Sequence, residues 1–365
     1  MSAFKFFIKC IKAIPLKFAP QTPEVWSMDH AAAMTGMMNA NFVKANCEAL
    51  INLVRHFRPD IIVDFWNPYA CMAAKVMKIP LISVIQVDQH PMAKGFIWWK
   101  PLPENVPSAV PVVNKVLAAF GVNQITKIED LHIADLTLII GTPETDPLPA
   151  GAEGQHIGPL LWQDDNASLP SWFDGLDAEK PIIWVYSGNP RYSKKATALD
   201  SEVILLASIE ALAAMEAHVV LTTGHHSIPE EYLPLPDNFY FAPYLPGLLL
   251  AERCDLMIHH GGYGSCQTGL YTGTPAVIVP TFSERESNAR RIALLGAGVF
   301  ILPEVTGNGD KKISIEKFKE QVTHVLGTPR YRKCAKRCSE LIRPHDGVDK
   351  ALTLIEEVVN GHVQL

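Results

Sequence analysis

Apolar residues recur at helical spacing across Asn41–Phe57, where Phe42, Val43, Leu50, Ile51, Val54 and Phe57 share one face. Pro59 stops that helix, and Asp60–Phe65 (DIIVDF) then reads as a buried parallel strand. Ala70–Met77 predicts a crossover helix and Pro80–Ile85 (PLISVI) the next strand. A helix near Val112–Phe120 and a third strand at Leu136–Gly141 (LTLIIG) follow. Beyond Gly158 the texture repeats with six predicted strands. They lie at Pro181–Ser187, His218–Thr223, Phe239–Tyr244, Leu256–His260, Pro275–Pro280 and Gly298–Leu302. After Ser314, a predicted N-cap, the chain reads helical almost to its end. Strands alternating with helices predict α/β architecture.

The pattern divides into two Rossmann-like halves, 1–157 and 158–365, with a cleft expected between them and a Pro-rich linker over Thr142–Pro170. They are unequal, with about three strands against six. A doubly wound domain opens on a strand, a glycine-rich turn and a helix, and Met1–Pro20 has no such opening. Either the N-terminal domain is reduced, or a first βαβ unit of roughly 50–70 residues is lacking. In Met1–Pro20, Phe4, Phe6, Phe7, Ile8, Ile11 and Ile14 alternate with Lys5, Lys9, Lys12 and Lys17. That fits a helix packed on its own domain or, as the less favoured reading, a basic amphipathic helix on a membrane surface.

Composition narrows the function class. The 365 residues carry 32 Lys and Arg against 38 Asp and Glu, a net charge of −6, which argues against nonspecific nucleic-acid binding. No apolar run reaches the roughly 18 residues of a membrane span. Seven scattered cysteines form no disulfide framework and point to a reducing cytoplasm; Cys334 and Cys338, four apart, read as helix-face thiols rather than a zinc site.

The chemistry concentrates in Met257–Pro280, MIHHGGYGSCQTGLYTGTPAVIVP. A strand ends in His259–His260, and Gly261, Gly262, Tyr263, Gly264 and Ser265 lead into a helix. Glycines allow close backbone approach, and a helix N-terminus offers unpaired N–H groups and a positive dipole end. A diphosphate fits there, with His260 and Ser265 as side-chain donors. The GGxGS spacing, in the second half, fits a dinucleotide fingerprint poorly.

HHGGYGS, then GLYTGTPAVIVP and SERESNARRIALLGAGV, resembles the donor-binding signature of glycosyltransferase family 1, the UDP-glycosyltransferases with the GT-B fold, which include macrolide and sterol glycosyltransferases. PDIIVDFW, KIPLISV, HIGPLLW, KPIIWVYSGN, VVLTTG, PYLPG and DGVDKALTLIEEV extend the likeness along most of the chain. The resemblance implies that Ser187 and Gly188 flank the diphosphate, with Thr223 near the same groove. Tyr244 and Leu245 would stack on and hydrogen-bond the base. His260, Gly262, Gly264 and Ser265 would hold the diphosphate. Glu284 would accept from sugar hydroxyls, and Arg285 would stand where a Gln usually follows. It also implies that the final helix, Val348–Val359, packs back toward the N-terminal domain. Thr268 replaces the usual ribose-binding acid and Gly247 a base- or ribose-contacting Gln, so the donor, expected to be a UDP-sugar, can differ.

By the same resemblance, Asp64 matches the carboxylate that orients a catalytic His from the first N-terminal loop, yet no histidine of this chain follows a first strand. His30 and His90 lack the expected context, and His362 is a tail coincidence. The expectation is that the imidazole partner of Asp64 is missing. The family reaction inverts the anomeric centre by direct displacement. It needs no cofactor and no metal; Asp164–Asp165 is solvated charge rather than a metal motif. Two readings stand. One is an inverting hexosyltransferase acting on a hydroxyl of a small apolar aglycone, its acceptor wall within Gln86–Pro111, which holds Phe96, Trp98 and Trp99. The other is a nucleotide-sugar-binding protein without transferase activity.

Overall fold

The computed structural model describes residues 24–97, 101–164, 166–188, 201–307 and 309–361. Met1–Pro20, Cys10, Trp98, Trp99, Asp165 and His362 lie outside the described residues. Two compact units result: Trp26–Gly158 with the helix Gly347–Val359, and Pro159–Asp346.

The first unit holds a four-stranded parallel sheet in the order β1-β2-β3-β4, formed by Ile62–Asp64, Leu81–Ile85, Leu136–Ile140 and Gln155–Gly158. Helix α1, Ala40–Phe57, is capped by Asn39, whose side chain accepts from the Asn41 and Phe42 N–H groups; Arg58 ends it in the left-handed region, φ 48°. Helix α2, Pro68–Met77, starts with Pro at its first turn and Asn67 as cap. Val43, Cys47 and Ile51 of α1 pack with Cys71, Met72 and Ala73 of α2 in one core. β4 falls inside the stretch predicted as a linker. Its four residues are too short for a readable period, and its edge position leaves Gln155 exposed, so local pattern hides it. At the other edge, β1 exposes Val63, with Phe65 just beyond it.

The second unit is built on a six-stranded parallel sheet, order β10-β9-β8-β5-β6-β7. In chain order these are Ile182–Tyr186, His218–Thr222, Phe239–Phe241, Leu256–His259, Ala276–Ile278 and Gly298–Phe300. The predicted strands each appear, shortened by a residue or more. β6 and β8 are buried along their whole length, as both faces of a parallel sheet require. Ser314 caps Ile315–Gly327 by accepting from the Lys317 N–H. The hairpin Glu304–Val305 with Lys311–Lys312 carries no apolar alternation and was not predicted. Among the described residues, no helix is long and apolar enough to cross a membrane.

Candidate functional site

β5 is flanked by β8 on one side and β6 on the other, so the strand order reverses there. Ligands of open α/β sheets bind at such a switch point, outside the carboxyl ends of the strands. Ser187 and Gly188 follow β5, and His260–Gly264 follow β8. The main-chain carbonyl of Ser187 accepts from the Ser201 hydroxyl, and its own hydroxyl donates to the Gly188 carbonyl at 3.2 Å.

The His260 ring sits between two glycines. A Cβ on Gly188 would lie 3.6 Å from the ring, and a Cβ on Gly262 would meet Nε2 at 2.7 Å. Tyr186 approaches the ring at 5.5 Å between centroids. Nδ1 of His260 is buried without a hydrogen-bond partner. Burial, then the Arg285 guanidinium and His259, holds the His260 pKa well below the usual imidazole range, so the ring is neutral and carries one N–H. Gly262 immediately precedes the helix Tyr263–Thr272, and Gly264 faces open space. The first-turn N–H groups of that helix have no intrahelical acceptors.

Helix Ser283–Leu294 supplies the next wall. The Asn288 amide donates both to Glu284 Oε1 at 2.7 Å and to the Gly261 carbonyl at 3.0 Å. Asn288 thus ties the carboxylate expected to hold sugar hydroxyls to the glycine loop. Asn288 was missed; its only sequence signal is its position one helical turn after Glu284. Arg285 donates to the Thr281 hydroxyl and lies over the Phe282 ring, 4.7 Å from its centroid. Thr223 is buried and donates to the His226 carbonyl, Leu245 is buried in one core with Trp184 and Leu250, and Tyr244 is half exposed. Gly247 begins a helix over Trp184, where a Cβ would come within 3.3 Å. Ser265 and Thr268 lie partly buried on the helix Tyr263–Thr272.

His259 gives this site a pH signature. It is fully buried, its Nδ1 accepts from the Gly261 N–H at 3.1 Å, and burial takes its pKa from 6.5 to about 3. An unfolded chain binds a proton at this ring below pH 6.5, while the folded chain does not until about pH 3. Stability is therefore fully present above the unfolded value and lost as pH falls through that window, by about 1.4 kcal/mol per pH unit. Urea unfolding from pH 7 to 4 should show a slope shallower by about that amount in His259→Phe. Equal slopes in variant and wild type would refute the assignment.

In the first unit, Asp64 ends β1 and is 1% exposed. Its Oδ2 accepts from His132 Nδ1 at 2.7 Å, and its Oδ1 accepts from the Asn67 N–H at 2.6 Å. The expectation that no imidazole of this chain meets Asp64 is therefore corrected. His132 ends the 3-10 helix Ile128–His132, 68 residues away in sequence, where no local pattern marks it. Trp66 stacks on the His132 ring at 4.6 Å, Cys71 Sγ lies 3.6 Å from Nδ1, and His132 Nε2 is buried without a partner. Burial and the Asp64 charge push the Cys71 thiol well above its usual range. With Nδ1 and Oδ2 bonded directly, the Asp64–Cys71–His132 cluster is a hydrogen-bonded trio rather than an open ligand set. His30 and His90 serve local structure: His30 Nδ1 accepts from the Trp26 N–H, and His90 Nε2 donates to the Glu153 carbonyl while its Nδ1 accepts from the Met92 N–H.

Known proteins show what this chain is similar to. Residues 198–345 match the family model "Erythromycin biosynthesis protein CIII-like, C-terminal domain". The 4'-demethylrebeccamycin synthase of Lentzea aerocolonigenes is 31% identical over 225 residues, which covers 60% of this chain and 49% of that protein. The chain spans about half the length of the curated relatives it matches. Among solved structures, spinosyn forosaminyltransferase SpnP superposes with a TM-score of 0.65 at 17% identity, covering 89% of this chain and 84% of that one. Glycosyltransferase VinC in complex with DTDP gives 0.62 at 18% identity, covering 88% and 82%. The chain thus shares the GT-B fold of these glycosyltransferase structures, and its second unit is similar to the EryCIII-like C-terminal domain.

Proposed function

We propose that the chain binds a nucleoside diphosphate sugar, by preference a UDP-sugar, and serves hexosyl transfer to a hydroxyl of a small apolar acceptor. The observation that carries this is the neutral His260 ring held between Gly188 and Gly262 beside the N-terminus of the helix Tyr263–Thr272. In the inverting displacement, the acceptor oxygen attacks the anomeric carbon and the bond to the diphosphate breaks. Charge then grows on the leaving phosphate oxygen, which the His260 N–H and the first-turn N–H groups of the helix would receive. Glu284, held by Asn288, accepts from sugar hydroxyls, and Tyr244 and Leu245 receive the base. This donor arrangement places no demand on a metal or cofactor. The free cysteines among the described residues fit a cytoplasmic setting.

His260→Ala should weaken UDP binding by about 1–3 kcal/mol, the worth of a hydrogen bond to a charged group. Calorimetry on the folded variant checks this, and unchanged affinity would remove His260 from the site.

The second reading, donor binding without turnover, is favoured by the closure of Asp64 and His132, whose side chains are both fully buried against each other. An alcohol with a pKa of roughly 15 needs a base in contact with it, and this pair faces its own core. Turnover assays with UDP-glucose and a panel of phenolic and terpenoid acceptors separate the two readings.

A further inference from the structure

The loop after β6 is wound against the loop after β7. The Thr223 and His225 N–H groups both donate to the Pro243 carbonyl, at 3.4 and 2.9 Å, immediately before Tyr244. Gly224 and His225 are consecutive left-handed residues, φ 65° and 73°. Glycine adopts that conformation freely; histidine does so against a steric penalty. A Cβ at Gly224 would come within 3.2 Å of the Tyr186 hydroxyl, so the turn is tight on the side of the diphosphate loop. The strained residue uses its position for one contact. Its ring lies flat on Tyr244, centroids 4.5 Å apart and planes inclined by 10°. Both rings reach solvent, and Tyr244 remains 51% exposed, so His225 takes one face of the phenol and leaves the other open.

We propose that His225 is a positioning residue of the base subsite, backing Tyr244 so that the base of a nucleoside diphosphate stacks on the outer face of the phenol. The inference rests on the donor-site reading above and adds to it a residue outside the resemblance. An exposed tyrosine after a three-residue strand samples several rotamers, and ordering it on ligand arrival costs affinity. The His225 ring holds it in one orientation beforehand. The left-handed strain at His225 is kept in a turn where glycine would fit the backbone better, which is how strain is retained at functional sites.

The test uses calorimetry on the full chain with two probes, UDP and inorganic pyrophosphate, the second lacking a base. His225→Gly should weaken UDP about three- to tenfold, the contribution of one stacked aromatic pair, and leave pyrophosphate affinity unchanged. His225→Phe should restore UDP binding. His225→Gly should melt no lower than the wild type, because glycine relieves the left-handed residue. The platform is overturned if His225→Gly binds UDP as tightly as the wild type, or if UDP and pyrophosphate weaken by the same factor. Wild-type protein that binds pyrophosphate as well as UDP also overturns it, while leaving the diphosphate site standing. Binding of neither probe by the wild type overturns the donor-site reading and the platform with it.

Discussion

Gly261→Ala should abolish measurable nucleotide binding and destabilise the second unit by roughly 2–5 kcal/mol, combining a left-handed backbone penalty with overpacking. Gly261 has φ 85°, and a Cβ there would stand 2.7 Å from the Arg285 carbonyl oxygen and 3.0 Å from Ile278 Cγ2. The first obstacle is backbone, so no rotamer change relieves it. Relief requires the chain to shift, and three neighbours shift with it. The Gly261 N–H donates to His259, the Gly261 carbonyl accepts from Asn288, and Asn288 holds Glu284. One methyl group therefore displaces the glycine loop and the Glu284 carboxylate, both proposed to hold the donor, together. Gly264→Ala is the control: nothing lies within 4 Å of its added Cβ, and its cost should stay within about 1 kcal/mol. Urea unfolding and UDP calorimetry on both variants decide the matter; comparable behaviour of the two would mean the loop tolerates the shift.

His132→Leu should cost the first unit about 3–5 kcal/mol, because it strands the Asp64 carboxylate in a core that water does not reach. Asp64 then retains the Asn67 N–H and the weak Cys71 thiol donor. The loss extends to packing, since Trp66 stacks on the imidazole and itself sits in the left-handed region, φ 60°. Asp64→Asn keeps the shape and an acceptor oxygen, so it should cost less than His132→Leu. The double variant Asp64→Leu/His132→Leu should recover part of the loss, because burying no charge is cheaper than burying one alone. A double-mutant cycle by urea unfolding measures the coupling. Additive losses would show that the two side chains, though 2.7 Å apart, stabilise the unit independently.

Much of the framework was legible locally. Leu81–Ile85, His218–Thr222 and Leu256–His259 are strands buried on both faces, and such strands announce themselves as unbroken apolar runs between turn residues. His259 to Ser265 was legible as a strand–helix junction, because consecutive glycines supply the left-handed φ and close backbone approach that Gly261 uses there. Ser314 was legible as the cap of the last helical stretch, and Asn39 and Asn67, not singled out in the sequence, cap two earlier helices in the same way.

What stayed hidden are contacts that no short window contains. β4 becomes a strand only because β3 offers it an edge to pair with. Asn288 joins the site through a carbonyl 27 residues earlier, and His225 finds Tyr244 because Pro243 binds both loops. Asp64 and His132 are 68 residues apart and meet where the 3-10 helix Ile128–His132 packs on Pro68–Met77. Periodicity, capping and turn chemistry act over a few residues, so the sequence by itself determined most of the elements, their order and the glycine-rich strand–helix junction. Which buried polar groups satisfy one another depends on how sheets order their strands and helices lie on them, and that the tertiary structure alone decided.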